Sequence, residues 1–186
     1  MKYKYLGQMD YDGSQLRHAF AYETQKILGP SIVYFEGKAE VKEHLVDLED
    51  SVNNDFIKSE KMMHFIIEIP DASIREMVVW QRFFMRMIVD KLRPLCMNSK
   101  VFIEGDDIMI DEKKLSVSIA TLSHFSGLIH AGLNIEVGEG CPIAAIGLKD
   151  IMPLYVSIPK FGAEIVQGFA EEYKDIVRAS YKVQGV

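Results

Sequence analysis

Gly105-Asp106-Asp107-Ile108-Met109-Ile110-Asp111-Glu112-Lys113-Lys114-Leu115-Ser116-Val117-Ser118-Ile119-Ala120 is the stretch on which the fold turns. It reads as two short strands joined through an acidic turn. Side chains alternate along a strand, so Lys114, Ser116, Ser118 and Ala120 are expected on one face, and Leu115, Val117 and Ile119 on the other, which seeks the core. The next apolar segment, residues 128–137, divides in the same way. Ile129, Ala131, Leu133 and Ile135 form an apolar row, with His130, Gly132 and Asn134 between them. Pairing of the two strands through residues 122–127 would set the two polar rows side by side. They would then surround a small, acceptor-rich ligand with Lys114 at one end.

Around this stretch, residues 101–104, 108–110, 115–121 and 128–137 predict an antiparallel sheet. Upstream, Ser73 and Glu76 have capping-box spacing, and Ile74, Met77, Val78, Phe84, Met87 and Ile88 recur on one helical side before Pro94. Phe161, Ile165, Phe169, Tyr173 and Ile176 predict a C-terminal helix over 162–182 packed on the sheet. At the other end, residues 2–9 read as a strand that runs into the turn Asp12-Gly13. Ser14 is expected to cap a helix over 15–28, which Gly29-Pro30 stops. A strand over 31–35 should open into a charged stretch over 36–50. Asn53, Asn54 and Asp55 mark a loop, and a strand over 63–69 ends at Pro70. The expected class is α+β, a mostly antiparallel sheet packed with helices in one domain over 1–186.

Composition narrows the function. The 186 residues are 48% hydrophobic and 26% charged, which is enough to bury a core without staples. Acidic residues outnumber basic ones 27 to 21, a net charge of −6, so generic nucleic-acid binding is disfavoured. Cys96 and Cys141 have neither disulfide-framework nor zinc-ligand spacing. The N-terminus has no apolar stretch long enough for a signal peptide, and no run approaches a membrane span. A cytoplasmic location is expected.

The segment Asp106-Asp107-Ile108-Met109-Ile110-Asp111-Glu112-Lys113-Lys114 resembles the biotin ligase pattern in which polar and apolar residues lead through a turn to a basic pair, and Lys114 falls on the catalytic lysine. Lys114-Leu115-Ser116-Val117-Ser118 is similar to a lipoate ligase stretch, and His130-Ala131-Gly132-Leu133-Asn134-Ile135 to the following strand of ligases and octanoyltransferases. With Asp12-Gly13-Ser14-Gln15-Leu16-Arg17, the whole chain resembles the family called domain of unknown function three hundred and sixty-six. The resemblance implies a biotin/lipoate ligase-like, class II aminoacyl-tRNA synthetase-like fold. It also implies a small carboxylic acid or nucleotide ligand, with ATP and Mg2+ as cofactors. Lys114 would then stabilise negative charge on a carboxylate or acyl-adenylate, with Ser116, Ser118, His130, Gly132 and Asn134 shaping the pocket.

Similarity to octanoyltransferases offers Cys141 as a nucleophile for acyl transfer, and a non-catalytic binding module is the third reading. Arg17, beside the Asp12-Gly13 turn, is a candidate anion contact. Asp47, Glu49 and Asp50 are candidate magnesium ligands. Bland alternatives stand beside each of these: a solvated Lys114, a structural His130, a buried Cys141 and a merely solvated acidic stretch. A homodimer is compatible with exposed sheet or helix faces.

Overall fold

The computed structural model describes residues 1–42, 44, 46–48, 52, 57–96, 98–141 and 143–185. Two sheets are present among them. The larger has five strands: β1 (Lys2–Gln8), β2 (Ser31–Val41), β3 (Ile57–Pro70), β7 (Ser116–Leu122) and β8 (Ser126–Glu136), in the spatial order β1-β2-β3-β8-β7. Only β1 and β2 run parallel; the other neighbours are antiparallel. The smaller sheet is a meander of β4 (Val101–Glu104), β5 (Asp107–Ile110) and β6 (Lys113–Lys114). Positive φ at Gly105 and Asp111 turns its two corners. The expected α+β class and mostly antiparallel sheet are what the chain forms.

One face of the large sheet is covered by helices. Ile129, Ala131, Leu133 and Ile135 of β8 share a core with Phe65 and Ile67 of β3. Helix α2 (Ile74–Leu92), the single turn α3 (Leu148–Ile151) and helix α4 (Ile158–Tyr181) contribute to that core. Ser73 caps α2 by accepting from the Glu76 amide, as the spacing predicts. The buried stripe of α2 is Met77, Trp80, Gln81, Phe84, Met85, Ile88, Val89 and Leu92, whereas Ile74 and Val78 are exposed. Edge-to-face contacts of Phe84 with Phe65 and Phe169, at 5.3 and 4.9 Å between centroids, lock sheet, α2 and α4 together. No helix among the described residues is long and apolar enough to cross a membrane.

The opposite face carries only a small cluster of Tyr11, Phe20, Ala21, Val33, Phe35, Val41 and Ile66. Part of its cover is α1 (Phe20–Gln25), far shorter than the helix expected over 15–28. The Ser14 hydroxyl donates to Asp12 instead of capping, and Ala19 adopts a left-handed conformation, its N–H held by the Glu68 carboxylate. Among the described residues, α1 leaves the part of this face around Val117 and Ile119 to a groove. Strand β2 also runs past the expected residue 35 to Val41, so Glu36, Lys38 and Glu40 are strand residues and not a loop. Strand β3 starts earlier than expected, at Ile57. The loop expected at 53–55 lies outside the described residues.

After β1 the chain crosses β2 closely: the Met9 amide donates to the Glu36 carbonyl, and Tyr11 bridges to Ala39. Gly37 permits this approach, since a Cβ there would lie 2.0 Å from the Met9 carbonyl oxygen, a backbone atom that cannot swing aside. Gly37→Ala is therefore expected to destabilise the fold by about 1–3 kcal/mol, the usual cost of forcing atoms into a packed site. Urea unfolding measures it, and an unchanged midpoint would contradict the crossing described.

Candidate functional site

On the open face lies a groove of about 510 Å3, between the sheet, the small meander and the segment around Cys141. That size suits a small organic ligand. Its floor follows from register. Ile119 pairs with His130 and Val117 with Gly132, so each pair projects to the same side. Asn134 is opposite Met62 and His130 opposite Ile66 on β3, which sets these side chains on the open face as well. His130 and Asn134 thus line the groove, on the side that the alternation on β8 predicts, whereas Gly132 between them is covered by Met62 and Val117.

Strand β7 behaves differently. Ser116 is buried, and its hydroxyl accepts from the Ile108 amide. The Ser118 hydroxyl meets Gln81 of α2 at 2.7 Å and Asp106 at 3.1 Å. Both hydroxyls are therefore engaged by structural partners, and Val117 and Ile119 project over the sheet into the groove, which Ser116 and Ser118 still border. The reason is a break in the strand at Leu115. Its N–H donates to Ile108 in the small sheet, while its carbonyl accepts from Asn134 in the large one. Alternation carried across that junction from Lys114 assigns Ser116, Val117, Ser118 and Ile119 to the wrong sides.

Lys114 stands at the groove rim. Its backbone is gripped on both sides, the amide donating to Ala144 and the carbonyl accepting from Ile146. Its amine contacts Asp107 Oδ2 at 2.8 Å, with both side chains a little more than a quarter exposed. Burial pushes the Asp107 carboxyl up from its ordinary value, an effect that the neighbouring Lys114 opposes. One donor of the ammonium is spent on Asp107; its geometry provides three. Cys141 is half-buried and lines the same groove. Lys58 reaches toward it from β3, donating to the Glu139 carbonyl at 3.1 Å.

At the floor are two histidines and a tyrosine, of which His64 and Tyr11 carry no motif. His64 and His130 are fully buried and contact one another, Nδ1 to Nε2, at 3.2 Å. Tyr11 stacks on His130 with centroids 3.9 Å apart. Burial pushes the His64 imidazole down to about 3 and the His130 imidazole well below its usual value, so both are neutral. Burial raises the Tyr11 hydroxyl, which also stays neutral. In the sequence His64 is marked only as one of two polar members, with Glu68, of an apolar strand run, at the same parity as Met62 and Ile66. Tyr11 has no such signal.

Gly132 admits Met62 and Val117 against the strand, since a Cβ there would meet the Met62 sulfur at 2.2 Å. Arg17 is not among the groove residues: its guanidinium pairs with Glu23 and lies over the Phe20 ring. Asp47 lines the groove, while Glu49 and Asp50 lie outside the described residues. Among the described residues no three His, Cys, Asp or Glu side chains converge as a metal site. A second cleft of about 460 Å3 adjoins the groove through Tyr11 and His44, lined also by Asp10, Asp12, Lys38, Glu40 and Lys42. Glu40 bridges both lysines there, and they hold its carboxyl down at about 2.

Comparison with known proteins agrees with this architecture. The family model described as "Domain of unknown function (DUF366)" matches residues 1–184. A solved protein of unknown function from Pyrococcus horikoshi is 35% identical, with a TM-score of 0.87 over 99% of both chains. The biotin protein ligase from Aquifex aeolicus, solved with biotin and ATP, is 12% identical. Its TM-score is 0.63, covering 91% of this chain and 70% of the ligase. A Thermoplasma acidophilum protein described as a putative lipoate protein ligase, solved with lipoic acid, is 15% identical. There the TM-score is 0.55, over 92% and 85% of the two chains. The fold is that of the biotin and lipoate ligases.

The buried imidazoles fix a pH response. An unfolded histidine titrates near 6.5 and native His64 near 3. Between these values the unfolded chain binds more protons, so stability rises with pH across the window and is lost on acidification from pH 7. His64 is expected to account for roughly 2 kcal/mol between pH 7 and 5. Urea midpoints at the two pH values, compared with His64→Gln, measure it; equal pH dependence in both proteins would contradict a neutral, buried His64.

Proposed function

This chain belongs to the DUF366 family, and we propose that its groove binds a small carboxylic acid, the carboxylate meeting Lys114 and the apolar body lying along Val117 and Ile119. The observation that carries this reading is the amine of Lys114 at the rim of a cavity that Met62, Val117 and Ile119 line together with His130 and Asn134. A ligand carboxylate there is attracted by a cation that is fixed at its backbone and keeps donors to spare beyond Asp107. The Asn134 amide, on the same side of the sheet, offers both a donor and an acceptor. The ligases that share the fold, solved with biotin or lipoic acid, give the acid class its support from outside the chain.

For ATP the described residues are a poor fit. The cleft beside the groove sets Asp10, Asp12 and Glu40 against Lys38 and Lys42, and both lysines are already neutralised by Glu40. A triphosphate entering it would meet three carboxylates and displace two ion pairs. No step through ATP is drawn from this arrangement.

The position of Cys141 favours a second reading, acyl transfer. In the accessible groove a Cys141 thiolate would attack the carbonyl carbon of an acyl thioester. The new S–C bond would form as the donor thiolate leaves and takes up a proton; an acceptor amine would then attack the same carbon, its N–C bond forming as the Cys141 S–C bond breaks and the amine's proton passes to the released thiolate.

Two measurements test these readings. In calorimetry with biotin, lipoate, octanoate and amino acids, Lys114→Ala should weaken the acid that binds by about tenfold or more. Its melting temperature should stay nearly unchanged, because a partly exposed ion pair adds little to stability. Equal affinity in the variant would end the proposal for Lys114. Incubation with octanoyl thioesters should add one acyl group to the wild-type chain and none to Cys141→Ser by mass spectrometry. No adduct on the wild type would remove the transfer reading and leave acid binding standing.

A further inference from the structure

Geometry fixes which nitrogen carries each proton in the buried histidine pair. His64 Nε2 lies 3.4 Å from the Gly37 carbonyl oxygen, which can only accept, so this nitrogen is protonated and donates. A neutral imidazole has one proton, which leaves His64 Nδ1 bare. That bare nitrogen is 3.2 Å from His130 Nε2, so His130 is protonated at Nε2 and donates to it. His130 Nδ1 is consequently a lone-pair acceptor.

This acceptor has an outlet. His130 is 1% exposed and yet lines the groove. Among the described residues no protein donor reaches its Nδ1, while no fully enclosed side-chain nitrogen or oxygen lacks a partner. Its remaining exposure therefore opens on the groove. Tyr11 stacked on the ring and His64 bonded at its Nε2 edge hold it in one orientation.

We propose that His130 Nδ1 is a specificity-determining acceptor that reads an N–H or O–H group on the body of the ligand, with His64 as the positioning residue that sets its tautomer. The ligand class is then an acid bearing such a donor, as opposed to a plain alkyl acid; this rests on the reading of the groove as an acid site. Discrimination arises because an apolar group placed against Nδ1 would bury an acceptor without a partner, whereas a donor satisfies it at no cost in rearrangement. Burial keeps the ring from answering by protonation.

The test uses 15N-histidine NMR on the full chain with two probes of similar shape: 2-imidazolidinone, which carries two N–H donors, and 1,3-dimethyl-2-imidazolidinone, which carries none. The free protein should show His130 protonated at Nε2 and bare at Nδ1. The first probe should shift the Nδ1 resonance and bind about tenfold or more tightly than the second. A proton on Nδ1 in the free protein, equal responses to both probes, or no response to either overturns the proposal. Acetate, which has no chain to lay against His130, is titrated in the same sample and reads the acid site independently. Binding of acetate with silent imidazolidinones defeats only the role of His130, and the reverse defeats only that of Lys114. His64→Phe removes the partner that fixes the tautomer, and should lower the preference between the two probes while acetate is unaffected. Should that variant not fold, the wild-type spectra decide the matter alone.

Discussion

The contact between the Lys114 ammonium and the Asp107 carboxylate is the interaction around which the site is organised. Both residues belong to the small meander, Asp107 on β5 and Lys114 on β6, and their pair lies at the rim of the groove, where solvent still reaches. Buried more deeply, the pair would cost more in desolvation than it returns; fully exposed, it would be screened and mobile. At the rim the ammonium has donors left over. Burial disfavours the ionised form of the Asp107 carboxyl, and Lys114 opposes that effect. A ligand anion can meet the ammonium through its remaining donors while the contact to Asp107 is kept.

The unequal covering of the two sheet faces gives this pair a cavity to look into. Helices α2 and α4 take up the apolar rows of β3 and β8 and make that face a close-packed core. On the other side, Gly37 lets the chain after β1 cross β2 and deliver Tyr11 onto His130, and the short α1 stops before it can cover the rest. The polar groups beneath the groove are arranged so that none is stranded. Gly37 accepts from His64 and His64 from His130, which leaves one acceptor turned outward.

Much of the architecture is legible in the sequence because burial writes a period into the chain. Ile129, Ala131, Leu133 and Ile135 have to share a face, and that parity alone sends His130, Gly132 and Asn134 to the other. Ser73 with Glu76 marks the start of α2 for the same kind of local reason. Legibility ends where tertiary partners decide. Ser116 and Ser118 are turned inward because the strand breaks at Leu115 between two sheets, and nothing in the local pattern marks that junction. Arg17 has the turn of an anion contact, yet Glu23 holds it. Tyr11 and His64 matter because of residues distant in the chain, which alternation cannot reveal. The ends of β2 and α1 differ from the expected ones for a related reason: pairing with β3 carries a charged segment along as strand, and a carboxylate from β3 fixes Ala19 in a conformation that delays the helix.

Lys114 as the anchor of a ligand carboxylate is tested most simply by a crystal structure of the protein soaked with a small acid that it binds in solution. A carboxylate oxygen is expected within about 2.7–3.2 Å of Lys114 Nζ, with the apolar body lying over Val117 and Ile119. An acid bound elsewhere, with the Lys114 amine touching only Asp107 and the groove filled by water, would contradict it.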